Sequence, residues 1–319
     1  MSAKRTDLRV GGRTLSVSNI DKVLFPSNGY TKGDLIAYYR NVAPWILPHL
    51  QARPLTLQRY PDGIGGPSFF EKHLPKGLPE WVRRVPVTSP EGHRDTTTYM
   101  VCDDEPTLVW VANLASIVLH LWTSKIATIE EPDYIFFDLD PGERCSLKNL
   151  TIVALCMRDL LSSIGIAALV KTSGGTGLHV VVPLSGGYSY ESAKIFAEAA
   201  SHQLARLHPD RVTLDRSLKT RDPSAVYLDF QQVGRGKTIV SAYSVRARDG
   251  APVSMPLDWS EVEAFGRKRS GSPSDAFAAF TIRNAVTRLQ REGDLWSPKA
   301  WKKHRLEPAI RKAQTLWSA

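Results

Sequence analysis

Residues 134–142 have the sequence YIFFDLDPG, and this stretch decides the fold class and points to its chemistry. An apolar run leads into Asp138 and Asp140, which predicts a buried strand that ends at the Pro-Gly turn. Side chains two positions apart on a strand face the same side, so both carboxylates should project together. Two such charges repel unless a cation neutralises them, and divalent cations prefer oxygen ligands. An ordinary strand end followed by a turn is the alternative.

A second predicted strand, AVYLDF at residues 225–230, carries Asp229 among apolar residues. An ionised carboxylate in such surroundings is costly unless it has a partner. Three carboxylates on strands suit a site for two metal ions, one activating an attacking hydroxyl and the other holding the leaving phosphate oxygens. Nucleotidyl or phosphoryl transfer is the matching chemistry, whereas a local ion pair or a bulge is the alternative for Asp229 alone.

A glycine-rich turn joins two further predicted strands, AALVKTS and LHVVVPL, in a β-hairpin over residues 167–184. Its glycines, including Gly174, let backbone amides converge on an anion, and Ser173, Thr176 and His179 offer further donors. The turn lacks the Lys-Ser/Thr pair of a Walker motif. A hairpin turn without a ligand is the alternative.

The order of the predicted elements is mixed, because hairpins and crossover helices both occur. Thr31 is predicted as the N-cap of a helix with Asp34 in its first turn. Further helices are predicted at residues 107–122, 147–163 and 189–207, and the chain becomes helical after about residue 257. The segment SGSPSD at 270–275 is predicted as a flexible joint. This pattern indicates an α+β fold with mostly antiparallel sheets and flanking helices.

Composition sets limits on the function. The 319 residues include 42% hydrophobic and 23% charged residues, which is typical of a globular protein and not of a disordered chain. The net charge of +9 favours polyanions such as nucleic acid, although many basic proteins bind none. Three cysteines without a CxxC pair indicate neither a disulfide framework nor a zinc site. This cysteine usage makes a reducing cytoplasm the expected location. The N-terminal residues lack the apolar core that a signal peptide needs.

Several cations, amides and aromatic residues accompany the acidic motifs. His120 lies in the predicted helix at 107–122, where a core histidine is the default interpretation. Residues that flank Asp229 and suit a triphosphate are Arg221, Gln232, Lys237 and Arg246. Residues near the N-terminus that suit phosphates and bases are Asn19, Lys22, Lys32, Phe69, Phe70 and Lys72. Each of them alone is equally consistent with a solvated surface charge or with core packing.

Together these segments resemble the polymerase domain of bacterial ATP-dependent DNA ligase D, within the archaeo-eukaryotic primase superfamily. The similarity runs in order through SNIDKVLFP, TKGDLIAYY, RPLTLQRYPDG, FFEKHLP, LVWVANLASIVLH, FDLDPG, TSGGTGLHVVVPL, YLDFQQ, KTIVSAYSVRARDGAPVSMPLDW and FTIRN. So many segments in one order are far more specific than any single motif. The resemblance implies a primase-polymerase core of packed β-sheets.

The resemblance also implies roles for individual residues. Metal binding and catalysis would fall to Asp138, Asp140 and Asp229 with two Mn²⁺ or Mg²⁺ ions. The incoming ribo- or deoxynucleoside triphosphate would contact His120, Ser173, Gly174, Thr176, His179, Arg221, Gln232, Lys237 and Arg246. The 5′-phosphate of a downstream strand would bind Asn19, Lys22 and Lys32, and the template would meet Phe69, Phe70 and Lys72.

The function implied is a template-directed DNA/RNA polymerase that fills gaps and extends ends in non-homologous end joining. Its expected partners are double-stranded DNA ends and gaps with a 5′-phosphate, Ku and a DNA ligase, with no membrane, at the bacterial nucleoid. A non-catalytic end-bridging module, a nuclease and a primer-independent primase are the alternatives.

Two features depart from the family pattern, and one expectation concerns organisation. Gln58 and Thr176 stand where many members of the family that the chain resembles carry Lys, so one or two positive contacts to the triphosphate are expected to be missing. The segment around Arg221 also differs in length from the pattern. Three successive parts are expected: an N-terminal DNA-end-binding part at 1–100, a catalytic core at 101–290 and a helical tail at 291–319.

Overall fold

The computed structural model describes residues 5–88, 95–268 and 270–317. The chain forms two compact units, and each gathers segments that are distant in sequence. The first unit holds residues 1–127, 238–254 and 280–298, and the second holds residues 128–237, 255–279 and 299–319. The division into three successive parts does not follow these boundaries and stays a prediction.

Helices separate groups of strands along the described residues, and four helices close the order. The strands are β1 (Arg5–Val10), β2 (Arg13–Ser18), β3 (Val23–Phe25), β4 (Tyr30–Thr31), β5 (Leu55–Arg59), β6 (Phe69–Glu71), β7 (Arg84–Thr88), β8 (Thr96–Met100), β9 (Ser116–Trp122), β10 (Tyr134–Pro141), β11 (Leu169–Thr172), β12 (Leu178–Pro183), β13 (Val212–Thr213), β14 (Val226–Asp229), β15 (Thr238–Val240) and β16 (Pro256–Leu257). The α-helices are α1 (Lys32–Leu50), α2 (Glu105–Asn113), α3 (Leu147–Ser163), α4 (Tyr190–Leu207), α5 (Trp259–Gly266), α6 (Pro273–Phe277), α7 (Ala285–Glu292) and α8 (Leu306–Trp317).

The second unit is built on a six-stranded sheet in the order β13-β14-β10-β12-β11-β16. Its pairs are antiparallel except for β13 with β14, which is parallel. The central strand β12 is buried along its whole length, as expected for an apolar run packed on both faces. Helices α3 and α4 pack against this sheet. The sheet and its hairpin confirm the predicted α+β class.

The first unit contains a second sheet, in the order β15-β9-β5-β8-β7, with β6 paired to β5. Its strands are antiparallel throughout. Two short hairpins, β1 with β2 and β3 with β4, lie outside this sheet. Helix α1 begins at a capping box as predicted, because Thr31 Oγ1 accepts from the Asp34 amide at 3.2 Å.

The predicted helix at 107–122 is wrong in its second half. Helix α2 ends at Asn113, Ala115 adopts a left-handed conformation with φ of 55°, and β9 follows from Ser116 to Trp122. Strand β9 is apolar on both faces, so its sequence has no alternation that would distinguish it from a buried helix. His120 is therefore a strand residue and not a helix residue.

The predicted flexible joint at 270–275 is also wrong. Ser272 is the N-cap of α6, and its side chain accepts from the Asp275 amide at 3.1 Å. Pro273 occupies the first turn of this helix, where its missing N–H costs nothing. The same Ser, Pro and Asp residues that indicated a linker thus specify a helix start.

The last part of the chain is helical, as predicted. Helix α8 buries Leu306, Ala309 and Ala313 and packs against α4. Within the described ranges, no helix combines the length and the apolar character that crossing a bilayer requires.

Candidate active site

Three carboxylates share one face of the sheet in the second unit. In the antiparallel ladder of β10 and β14, Asp138 lies directly opposite Asp229, and Asp140 lies opposite Tyr227. Residues directly opposite each other project on the same side, with Cβ atoms about 5 Å apart. Asp138 and Asp140 are two positions apart and share that side too. The register therefore brings together the three acidic residues that the sequence singled out.

His179 is the neighbour of Asp138 on strand β12, which pairs with β10 on the side away from β14. Strand β12 places His179 opposite Asp138, and the imidazole Nε2 is 3.3 Å from Asp138 Oδ1. The His179 side chain is only 6% exposed, against 22% for Asp138. A buried imidazole thus lies within ion-pair distance of the Asp138 carboxylate.

Asp229 is buried, and both of its carboxylate oxygens accept hydrogen bonds. It is 8% exposed, its Oδ1 accepts from the Gln231 amide at 3.0 Å, and its Oδ2 accepts from Gln232 Nε2 at 3.1 Å. Gln232 was predicted to contact the nucleotide, and here its amide orients Asp229. The amide of Gln231 was missed, because a backbone donor leaves no sign in the sequence.

The donor set fits a hard divalent cation. Three carboxylates on one face supply the oxygen ligands that Mg²⁺ and Mn²⁺ prefer. In the present conformation both Asp229 oxygens accept hydrogen bonds, and no group of three His, Cys, Asp or Glu side chains among the described residues is arranged as a metal site. Each carboxylate oxygen has two lone pairs, so Asp229 can accept these hydrogen bonds and still offer an oxygen to a shared ion.

The glycine-rich turn packs against the acidic strand. Ser173 Oγ accepts from the amides of Gly175 and Gly177, each at 3.1 Å, and Gly174 has φ of 73°. Two amides that were predicted to face an anion thus bind the Ser173 hydroxyl. A Cβ atom on Gly177 would lie 2.5 Å from the Leu139 carbonyl oxygen and 3.4 Å from an Asp140 carboxylate oxygen.

Replacing Gly177 with alanine should therefore displace the end of β10. The added methyl group meets backbone at a distance that real Cβ atoms do not show, and such overpacking typically costs about 1–3 kcal/mol. We expect the free energy of unfolding to fall by about this amount with the overall fold retained, as measured by urea titration and circular dichroism. Gly65→Ala is the matched control, because nothing lies within 4 Å of the position that its added methyl group would take. Equal free energies of unfolding for both variants would contradict this packing role.

Arg221 and Tyr227 extend the acidic face. The Arg221 guanidinium carbon lies 3.7 Å from the centroid of the Tyr227 ring, and its Nε donates to the Asp215 carbonyl at 2.9 Å. Burial, followed by the negative charge of Asp229, raises the pKa of Tyr227. Arg221 thus stacks on the residue that lies opposite Asp140 in the ladder. Tyr227 was missed, although its position two residues before Asp229 puts both on one face.

Two other predicted nucleotide contacts of the second unit lie on turns. Thr176 is half-buried in the glycine-rich turn, and Lys237 is exposed with its amide donating to the Gly234 carbonyl at 3.0 Å. Nearby in sequence, Arg235 forms a two-pronged ion pair with Glu130 at 2.6 and 2.7 Å, which lowers the pKa of that carboxyl. This ion pair holds the turn before β15 against residue 130. The roles of Thr176 and Lys237 stay predictions.

His120 and Phe70 meet in the first unit. His120 lies between Thr56 of β5 and Val240 of β15, and its ring centroid is 5.4 Å from that of Phe70. Phe69 and Phe70 are 44% and 58% exposed, which is unusual for phenylalanine and suits stacking on bases. Arg246 also belongs to this unit, and its amide donates to the Pro252 carbonyl at 2.8 Å.

The predicted phosphate-binding residues cluster at the start of α1. The Lys32 amide donates to the Lys22 carbonyl at 2.8 Å, and the Lys22 amide donates to the Asn19 carbonyl at 3.0 Å. Lys32 is 5% exposed, and its Nζ lies 3.0 Å from the Asn113 carbonyl oxygen. Burial, together with the charge of Lys22, lowers the pKa of Lys32 to about 8. Lys72 is exposed and follows β6.

Comparison with known proteins identifies the family. Residues 31–296 match the family described as LigD, primase-polymerase domain. The chain belongs to this family. Among curated proteins, a 33% identical relative over 293 residues is the multifunctional non-homologous end joining DNA repair protein LigD of Mycobacterium tuberculosis (strain ATCC 25618 / H37Rv). That match covers 88% of this chain and 36% of the relative.

Other LigD proteins and one solved structure agree. The LigD proteins of Pseudomonas aeruginosa and Bacillus subtilis are each 32% identical, with 93% and 88% of this chain covered. The chain spans only 34% and 43% of their lengths. The structure of the polymerase domain from Mycobacterium tuberculosis ligase D in complex with DNA superimposes with a TM-score of 0.79, at 33% identity, covering 88% of this chain and 96% of that one.

Proposed function

We propose that this chain is a template-directed DNA/RNA polymerase that fills gaps and extends ends in the repair of double-strand breaks. Membership of the LigD primase-polymerase family supports the class of reaction, which is nucleotidyl transfer. The observation that carries the proposal is the β10–β14 register, which sets Asp138 opposite Asp229 with Asp140 on the same face. Three carboxylates on one face suit the transfer of a nucleotide to a primer 3′-hydroxyl.

The side chains of the second unit have separate tasks in this reaction. Two divalent cations, Mn²⁺ or Mg²⁺, would be held by Asp138, Asp140 and Asp229 and would supply charge neutralisation and activation of the primer hydroxyl. His179 holds Asp138 in place through its 3.3 Å contact. Arg221, beside Tyr227, offers positive charge to a triphosphate that enters over the same face.

The remaining predicted contacts complete the nucleotide site as a proposal. They are His120, Ser173, Gly174, Thr176, Gln232, Lys237 and Arg246. Since Thr176 and Gln58 replace lysines of many relatives, we infer weaker binding of the triphosphate than in those relatives. The replaced lysines would neutralise charge on the bound triphosphate before the reaction, whereas the three carboxylates are unchanged.

The first unit would bind the DNA. Asn19, Lys22 and Lys32 are linked by backbone hydrogen bonds at the start of α1, and their amide and two amines suit a terminal 5′-phosphate, which carries close to two negative charges at neutral pH. The exposed rings of Phe69 and Phe70, with Lys72 nearby, suit a template strand that leaves the gap. Ku and a DNA ligase are the proposed partners, and the bacterial nucleoid is the proposed location.

Extension of a gapped duplex tests this function. The primer is labelled, the gap carries or lacks a 5′-phosphate, and ribo- and deoxynucleotides are compared with Mn²⁺ and with Mg²⁺. We expect incorporation opposite the template that is faster on the phosphorylated gap. Absence of incorporation under every combination would refute the proposal.

The same assay distinguishes the other functions. Degradation of labelled DNA without nucleotide would indicate a nuclease, and synthesis on a template without primer would indicate a primase. Bridging of two DNA ends in the presence of a chelator, without incorporation, would indicate a non-catalytic end-bridging module.

A further inference from the structure

The N-terminal hairpin presents an exposed polar face that the proposed site does not use. Strands β1 and β2 alternate, so that Val10, Leu15 and Val17 are buried and the opposite side chains are exposed. The cross-strand pairs on the exposed face are Arg5 with Ser18, Asp7 with Ser16, and Arg9 with Thr14. Two arginines and three hydroxyl groups thus lie on one side of a two-stranded ribbon.

Contacts with helices α1 and α2 hold the hairpin in place. Its turn is Gly11–Gly12, with φ of 52° and 78°, as in the tight turns that favour hairpins. A Cβ atom on Gly11 would lie 2.9 Å from Pro106 of α2, so the turn packs closely on that helix. Arg40 of α1 donates to the Arg9 carbonyl at 3.3 Å. The exposed arginines therefore project from a fixed backbone.

The exposed face continues directly into the lysine cluster. Ser18 ends β2, its amide donates to Asn113 Oδ1 at 3.0 Å, and its hydroxyl accepts from Lys32 Nζ at 3.3 Å. Arg5 lies opposite Ser18 in the ladder, and is thus the hairpin arginine next to Lys32. Arg9 lies four residues further along β1, about 13 Å away at the usual strand rise.

The charges on this face suit a polyanion that extends past the lysines. Within the described ranges, neither Arg5 nor Arg9 forms an ion pair with a carboxylate, although Asp7 lies between them on the same face. A spacing of about 13 Å equals roughly four base-pair steps along the axis of duplex DNA. Unpaired guanidinium groups with hydroxyl donors are the groups that contact DNA backbone without reading sequence.

We propose that the exposed face of the β1–β2 hairpin binds the phosphate backbone of the duplex downstream of the gap, with Arg5 and Arg9 as its cationic contacts. The proposal rests on the proposed function, because it extends the DNA path beyond the terminal 5′-phosphate. Arg5 and Arg9 contact phosphates of the duplex, and Thr14 and Ser16 donate hydrogen bonds between them. Asp7 opposes this binding and limits its strength.

Salt titration of DNA binding tests the hairpin without relying on catalysis. The full chain and its Arg5→Gln/Arg9→Gln variant are titrated with gapped DNA by fluorescence anisotropy in chelator, at several salt concentrations. Each lost phosphate contact lowers the slope of log affinity against log salt by about 0.9, so the slope should fall by about 1.8. With the downstream duplex cut back to a few base pairs, the variant and the wild type should bind alike.

Two further variants sharpen the test. Asp7→Asn should change binding in the opposite direction, with a several-fold gain in affinity on the long downstream duplex. Lys194→Gln removes the same charge from an exposed position of α4 and should leave the slope unchanged. Thermal unfolding of each variant checks that the exposed substitutions leave the fold intact.

The outcomes separate this inference from the proposed function. Equal slopes for the wild type and the arginine variant would overturn the hairpin inference while gap extension still stands. A wild type that does not extend a gap refutes the proposed function, whereas the binding arms still report on the hairpin. An identical loss on long and short downstream duplexes would also overturn the inference, because it would place the arginines elsewhere on the DNA.

Discussion

Asp138→Asn and Asp140→Asn should each reduce nucleotide incorporation by about 10³-fold or more. Both carboxylates lie on the face that would hold the cations, and each removed negative charge weakens cation binding and transition-state neutralisation by several kcal/mol. Single-turnover primer extension with saturating Mn²⁺ measures the loss. DNA binding should be nearly unchanged, because the DNA contacts are proposed in the first unit.

The control for charge is Asp159→Asn on α3, whose carboxylate is 66% exposed beside Arg158. This variant should extend primers at the wild-type rate. Titration with Mn²⁺, in which electron paramagnetic resonance detects the free ion, measures cation binding independently of catalysis. Wild-type incorporation by either β10 variant would contradict the assignment of the carboxylate face.

The elements that carry the chemistry were accessible from the sequence. The two-residue period of a strand is enough to place Asp138 and Asp140 on one face, and apolar flanks place Asp229 on another strand. The pairing of β10 with β14 could not be derived, because nothing local in either strand specifies which strand lies beside it. The resemblance to a known family implied a shared site for these residues, and the register supports it.

Other features depended on contacts that a linear sequence does not show. The strand at 116–122 is apolar on both faces, so its pattern does not distinguish a strand from a buried helix. The close approach of Gly177 to Leu139 arises from the pairing of distant segments. The hydrogen bond from the Gln231 amide to Asp229 is local instead, because Asp229 caps the 3-10 turn at residues 230–232. The hairpin turn at Gly11–Gly12, in contrast, was not predicted, although a Gly-Gly pair is a local signature of such turns.

The preference for a 5′-phosphate should depend on pH through Lys32. Its pKa in the free protein is about 8, because burial and the neighbouring Lys22 disfavour its charged form. A terminal phosphate keeps a nearly constant charge above pH 7, since its second pKa is about 6. The phosphate-dependent part of the affinity should therefore be largest below pH 8 and decline as the pH rises above that value, measured by anisotropy on paired gaps.

The free energy of unfolding should rise over the same pH range in which the preference for the 5′-phosphate declines. A lysine whose pKa is lower in the folded chain than in the unfolded chain destabilises the fold while it is charged, so the fold gains stability as the pH rises from 8 towards 10.5. Loss of phosphate preference in this window would thus not reflect unfolding. Urea titrations at each pH measure this directly.

Lys32→Met should remove most of the preference at every pH. Losing one partner of a buried charged contact costs about 2–3 kcal/mol, or roughly 30- to 150-fold in affinity for the phosphorylated gap. Lys32→Arg keeps its charge at high pH and should flatten the pH dependence, whereas Lys76→Met, at an exposed position, is the control. If Lys32→Met distinguished the two gaps as well as the wild type does, the proposed contact between Lys32 and the 5′-phosphate would be wrong.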